Sequence, residues 1–441
     1  MRVTLAGYNT DRTCGADTPE TISAAYARIS RDPREVGELR EAAAREVEKA
    51  RASNRTIVFE YGHGSVAEHA VFNFDIVGLS RLAVEAIQGF RLASFTEKSQ
   101  RYIRIGEDWY MPGDLDPEQE FLYRDTVGAL FGHYDRAFGV LRDAGMSLDT
   151  AKEDARYLLP LATTTQMGMT ANARELEHMV RRLSAHPLAE ARELGRRLME
   201  EASAVAPSLF LFTEPTEMDR FAHVRPTVGG TPPDVVLTSS DGDSAVAIHL
   251  IQAMDGVSLE RAGEAWEGMD TEEREELFAR VYRSLGVHDP VPRCWEAFRA
   301  CFEVVLSATA YAQLKRHRMS TQLPSRYDPA LGHTVPPSFE AAGLTSLMDE
   351  AMAESAAAMS RSPSGWGTYL LTNAHRRRVT VQMNGRELYH FSRLREDEHA
   401  QWDIRRLAGR MMDLVRESAP LTMKLSGGKS ESGLPGDEVQ Q

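Results

Sequence analysis

The sequence predicts an α+β protein built from two tandem domains, each a sheet packed with helices. Three observations predict it. At 441 residues the chain is longer than one core usually organises, while half of it is an ordinary domain length. Asn172-Ala173-Arg174-Glu175-Leu176 with His178 recurs 212 residues later as Asn384-Gly385-Arg386-Glu387-Leu388 with His390, which reads as a tandem duplication. Both halves mix segments of helical apolar spacing with short strand-like runs.

Residues 33–54, 116–145 and 187–205 carry apolar positions at helical spacing among Ala, Glu, Leu and Arg, and are expected to be amphipathic helices. Thr56-Ile57-Val58-Phe59 and the alternating run 70–76 are expected to be strands, the second with one covered face. Residues 214–234 hold Pro215, Pro226, Pro232, Pro233 and a Gly-Gly pair, the composition of a linker. In the second half 258–285 and 295–313 read as helices, and 378–383 as a strand. The expected domains are therefore 1–215 and 235–425, joined by 216–234 and followed by a flexible Gly/Ser/Glu-rich tail, 426–441.

A hydrophobic content of 42% and a charged content of 26% are those of a globular protein that buries real cores. No apolar run approaches the ~20 residues that span a bilayer, and the N-terminus lacks a signal-peptide pattern, so a cytoplasmic protein without a membrane partner is expected. Cys14, Cys294 and Cys301 show no CxxC spacing, which indicates neither a disulfide framework nor a metal site. The net charge of −14 opposes binding to nucleic acid. Against that background Lys315-Arg316-His317-Arg318-Met319-Ser320, followed by Ser325-Arg326-Tyr327, gathers four cations and an imidazole, a cluster suited to a small anionic ligand. Taken alone, such a cluster is more often solvated or ion-paired, and the paired histidines are more often structural.

His63-Gly64-Ser65-Val66-Ala67-Glu68-His69, the strand after it and Arg91-Leu92-Ala93-Ser94-Phe95-Thr96-Glu97-Lys98-Ser99-Gln100-Arg101-Tyr102 resemble the signature of the flavin-dependent thymidylate synthases, the ThyX family. That family shows H-x-S-x-x-E-H, then R-H-R-x-x-S-x-N-E-x-S-x-R-Y, then N-x-R-S/E-L-x-H-F-x-x-L-R and H-A-Q-W-E-I-R. The second half supplies the last two as 384–395 and His399-Ala400-Gln401-Trp402-Asp403-Ile404-Arg405. The resemblance implies reductive methylation of a uracil nucleotide at C5. Methylenetetrahydrofolate would give the carbon and reduced FAD the hydride, with NADPH reloading the flavin and no cysteine nucleophile. Family members are homotetramers with sites between subunits, so a homodimer of tandem chains, four ThyX-like domains, is expected.

Each half departs from the pattern. In the first, Gly89, Phe90 and Arg91 stand at the R-H-R positions, while Glu97, Ser99, Arg101 and Arg156 match the family's nucleotide- and phosphate-binding set. In the second, Arg316, His317 and Arg318 keep the flavin motif, Gln313 stands at the uracil-binding glutamine and Arg395 at the arginine that favours uracil ionisation. There the E-x-S-x-R stretch is two residues short, and Thr368 replaces the phosphate arginine. On the cofactor side the resemblance also places His63, Ser65, Glu68, Asn172, Arg174 and His178 in the first half, and Asn384, Arg386 and His390 in the second. In the family the two sets come from different subunits, so one composite site per chain is expected, with domain 1 holding phosphate and domain 2 the flavin and the base.

The expected substrate is UMP or dUMP. Divergent fused halves suit a specialised member such as the UMP methylases of peptidyl-nucleoside antibiotic pathways, and Thr96, in place of the family Asn, is one position for admitting a 2′-hydroxyl. The alternative reading is a non-catalytic uridylate-binding protein in which both flavin sites decayed.

Overall fold

The computed structural model describes residues 1–225, 233–286, 289–362 and 365–429. The chain divides into two compact units, unit 1 comprising Met1–Val224 with Val335–Asn373, and unit 2 comprising Arg225–Thr334 with Ala374–Gln441.

Unit 1 holds a four-stranded antiparallel sheet of β1 (Arg2–Tyr8), β2 (Val71–Ser80), β3 (Ala93–Glu97) and β4 (Thr164–Asn172), in the order β1-β2-β4-β3. Its side chains alternate: Phe72, Phe74 and Ile76 of β2 and Met167, Met169 and Ala171 of β4 point into a core shared with the helices Ala173–Ser184 and Ala189–Val205. Each of the buried Phe, Ile and Met side chains contributes on the order of 2 kcal/mol by leaving water. Unit 2 repeats the plan with β5 (Val235–Ser240), β6 (Arg299–Ser307), β7 (Thr321–Tyr327) and β8 (Arg376–Asn384), in the order β5-β6-β8-β7, packed under the helices Gly385–Arg395 and Trp402–Ser418. The α+β reading and the duplication both hold.

The segment 335–373 belongs by sequence to the second repeat and by packing to unit 1. Ser338 Oγ donates to Asp154 Oδ2 at 2.6 Å, Tyr369 Oη donates to Glu190 Oε2 at 2.9 Å, and His133 meets Glu354 at 3.1 Å. Leu161 N donates to Leu371 O at 2.7 Å and Asn373 N to Leu159 O at 3.0 Å, around the bridge Pro160–Thr372. The 212-residue repeat maps 159–161 onto 371–373, so these two bonds exchange with each other and the pairing is a local twofold.

Several sequence expectations change. Thr56–Phe59, expected as a strand, lies in a π-helical turn, Thr56–Glu60, that continues the helix Val47–Arg55. Of this run only Val58 is buried. The expected helix 33–54 is two, Val36–Arg45 and Val47–Arg55, broken at Glu46, which has φ −123° and ψ 62°. The middle of 295–313 is β6, because Ala300, Phe302, Val304 and Leu306 are buried at a spacing of two; a 3-10 turn, Arg293–Ala297, precedes it and the α-helix Ala308–Leu314 follows. Residues 226–232 of the expected linker and 430–441 of the expected tail lie outside the described residues; within 216–225 a helix, Glu217–Phe221, forms.

Candidate functional site

In unit 2 the helix Ala308–Leu314 leaves β6 under a Ser307 cap, whose Oγ accepts from Ala310 N at 3.0 Å. This sets Gln313 on its last turn and His317 just beyond. His317 is 2% exposed. Its Nδ1 lies 3.0 Å from Glu387 Oε1, and Arg395 Nε donates to its Nε2 at 3.0 Å. A guanidinium can only donate, so Nε2 carries the lone pair and Nδ1 the proton given to the carboxylate. Burial pulls the His317 pKa below its ordinary value, with the Glu387 hydrogen bond opposing, and this agrees with a neutral ring. Arg395 also reaches Gln313, Nη1 to Oε1 at 3.4 Å and Nη2 to the backbone O at 3.3 Å. Gln313 Nε2 in turn donates to Gln401 Oε1 at 3.4 Å.

The helix Gly385–Arg395 serves two surroundings. Glu387, Phe391 and Arg395 fall four residues apart and meet His317, Phe391 with its ring centroid 4.9 Å away. Arg386, His390 and Arg393 line a cavity of about 490 Å³ together with Leu285, Asp289 and Lys429. Asn384 caps this helix, its Oδ1 accepting from Glu387 N at 2.8 Å, and Asn172 caps the helix Ala173–Ser184 the same way from Glu175 N at 2.9 Å. The arginine two residues on is ion-paired in both repeats, Arg386 with Glu296 at 3.0 Å and Arg174 with Glu68 at 2.5 Å. Where His317 packs 5.5 Å from His390, Phe90 packs 5.3 Å from His178. Arg316, His63 and Ser65 are exposed, and Arg318 is half-buried.

In unit 1, Arg156, Arg101 and Ser99 of the set expected to bind phosphate lie together around Glu153. Arg156 is 8% exposed; its Nε donates to Glu153 O at 3.0 Å, and its Nη2, fully buried, has no hydrogen-bond partner among the described residues. Burial lowers its pKa, and the neighbouring Arg101 adds to this. Arg101 pairs with Glu153 at 2.5 Å, and Ser99 Oγ accepts from Arg101 N at 3.1 Å. Glu97 is held by Arg81 and by Gln88 Nε2 at 2.9 Å. A buried guanidinium with an unused N–H, beside a second arginine and a serine, is a donor set suited to a phosphate.

Sequence reasoning passed over Glu387 and Gln401, although both stand inside quoted motifs, and Gln100 and Asn373 in unit 1. Among the described residues no group of three or more His, Cys, Asp or Glu could hold a metal ion, and no helix is long and apolar enough to cross a membrane.

The model of the thymidylate synthase complementing protein family, Thy1, matches residues 13–208 and again 236–421. A flavin-dependent thymidylate synthase of Geobacter sulfurreducens is 32% identical over 218 residues, 48% of this chain and 85% of that one. A relative of the same name from Sulfurisphaera tokodaii is 32% identical over 157 residues, spanning 35% of this chain and 59% of its own length. Among solved structures, a UMP/dUMP methylase, PolB, from Streptomyces cacaoi bound with 5-Br dUMP is similar over 47% of this chain and 92% of that one, with 20% identity and a TM-score of 0.37. With the family model matching twice and covering most of the sequence, the chain belongs to the thymidylate synthase complementing protein family and carries two copies of its domain.

Proposed function

We propose that the protein methylates C5 of a uracil nucleotide, UMP or dUMP, taking the carbon from methylenetetrahydrofolate and the hydride from FAD reduced by NADPH. One observation carries the reading: in unit 2, Arg395 is held between His317 and Gln313, the three residue types that the family resemblance assigns to base activation and flavin contact. The cavity of about 490 Å³ lined by Arg386, His390 and Arg393 suits part of an anionic dinucleotide, so these residues, with Arg316 and Arg318, would hold FAD. When bound and reduced, FAD supplies the hydride.

The chain's own residues do the rest. Arg395 stabilises negative charge on the uracil N3 and O2 edge, which makes C5 nucleophilic; the neutral His317, oriented by Glu387, keeps that guanidinium in place. Gln313 offers its amide to the uracil edge. Ser99, Arg101 and Arg156 hold the phosphate. Repeat one thus supplies nucleotide capture and repeat two base activation and flavin binding, one complete set per chain, and two chains would assemble into a four-domain body.

The test is the visible spectrum of the purified protein, its bleaching by NADPH, and turnover of UMP and dUMP with methylenetetrahydrofolate. One FAD per chain and a C5-methylated product support the reading. Two FAD per chain would refute the division of labour, and a protein that takes up no flavin but binds uridylate would replace the enzyme with a binding protein.

A further inference from the structure

Asn373 comes from the second repeat but lies in unit 1, 3% exposed. Its Nδ2 donates to Arg156 O at 2.9 Å and to Gln100 Oε1 at 3.1 Å. A carbonyl can only accept, so the Arg156 contact fixes which end of the Asn373 amide carries the hydrogens. The same NH₂ then draws the Gln100 oxygen toward Asn373 and turns the Gln100 Nε2 away. That Nε2 has no partner among the described residues, although Gln100 is only 7% exposed. Arg156 Nη2 is in the same condition. Native proteins rarely leave buried donors unmade, and two joined through one amide point to a ligand rich in acceptors.

We propose that Asn373 is a positioning residue for the anion site of unit 1: it holds the Gln100 oxygen and the Arg156 backbone so that Gln100 Nε2 and Arg156 Nη2 both present N–H groups to the phosphate of the nucleotide. The proposal deepens the function proposed above and rests on its uridylate reading. Gln100 is a direct donor; Asn373 acts through Gln100 and Arg156. The repeat maps Asn373 onto Leu161, whose side chain has no donor, so the equivalent position of the first repeat cannot make this arrangement.

The experiment is calorimetric titration of the full chain with dUMP, UMP and the parent nucleoside uridine. Gln100→Leu and Asn373→Leu each weaken nucleotide binding about tenfold, the effect of one modest hydrogen bond to a charged group. Uridine binding stays as in the parent protein. The double variant binds within about threefold of Gln100→Leu, because residues acting through one another are non-additive. Gln100→Glu keeps the Asn373 contact and turns an anionic oxygen toward the phosphate; it is isosteric, guards against a folding failure at 373, and gives the largest loss. Nucleotide affinities unchanged in both Gln100 variants, equal losses for uridine, or multiplicative losses in the double variant would overturn the proposal while leaving the uridylate reading intact. If the parent protein binds neither UMP nor dUMP, both fall together.

Discussion

Arg156 is a buried cation whose Nη2 makes no hydrogen bond within the described protein, so its removal has opposite effects on stability and on ligand binding. Consider Arg156→Met, which keeps the length of the side chain and deletes the charge. Loss of the Nε bond to Glu153 O costs about 1.5 kcal/mol, while relief of a desolvated, incompletely paired donor returns about 2–3 kcal/mol. The net gain of ~1 kcal/mol raises the ligand-free melting temperature of unit 1 by roughly 2–4 °C. Ligand stabilisation moves the other way. At dUMP one hundred times its Kd, binding adds about 2.7 kcal/mol to the parent protein; a charge-assisted phosphate contact worth about 2.7 kcal/mol brings the variant to [dUMP] ≈ Kd, where binding adds only ~0.4 kcal/mol. Differential scanning fluorimetry with and without dUMP reads both numbers. A variant that melts several degrees lower without ligand, and still gains the full shift with dUMP, would show that Arg156 is structural and refute the reasoning.

Arg395→Ala removes the donor to His317 and the charge proposed to face the uracil edge; turnover is expected to fall ~10²–10³-fold with flavin content retained, and normal turnover in a steady-state assay would show Arg395 to be misassigned. Because burial depresses the His317 pKa, the unfolded chain binds this proton more readily than the folded one. Its contribution to stability is therefore complete above the ordinary histidine value near 6.5 and is lost as pH falls from there toward the depressed folded value; below that value the imidazolium also releases Arg395, so chemical denaturation and the rate–pH profile should share an acid limb that His317→Gln removes. Asn384→Ala should destabilise unit 2 by ~1 kcal/mol through loss of a helix cap, whereas Asn384→Asp, which can still cap, should not; equal urea midpoints for the two would discount the cap. Gly385→Ala places a Cβ 2.6 Å from Trp295 O and should cost about 1–3 kcal/mol in the same denaturation assay, although the repeat-related position is already Ala173.

The sequence alone determined the duplication, the α+β class, the family and the identity of most candidate residues, because these depend on residue types at fixed spacing along the chain. Helices 116–145 and 187–205 and the strand 378–383 were legible for the same reason: amphipathic period reports locally which face is covered. It misled where period and propensity disagreed. The 56–59 run, β-branched at its first three positions, nevertheless continues a helix and buries only Val58, and β6 alternates so weakly in polarity that its period of two emerges only from burial. Only the tertiary structure decided the rest. That Glu387 meets the His317 ring, that one helix shows Arg395 to His317 and Arg386 to a cavity, and that Asn373 of the second repeat donates to Gln100 in unit 1 are contacts between residues up to 273 apart. A buried donor and acceptor must meet within about 3 Å, and it is packing that brings distant residues that close.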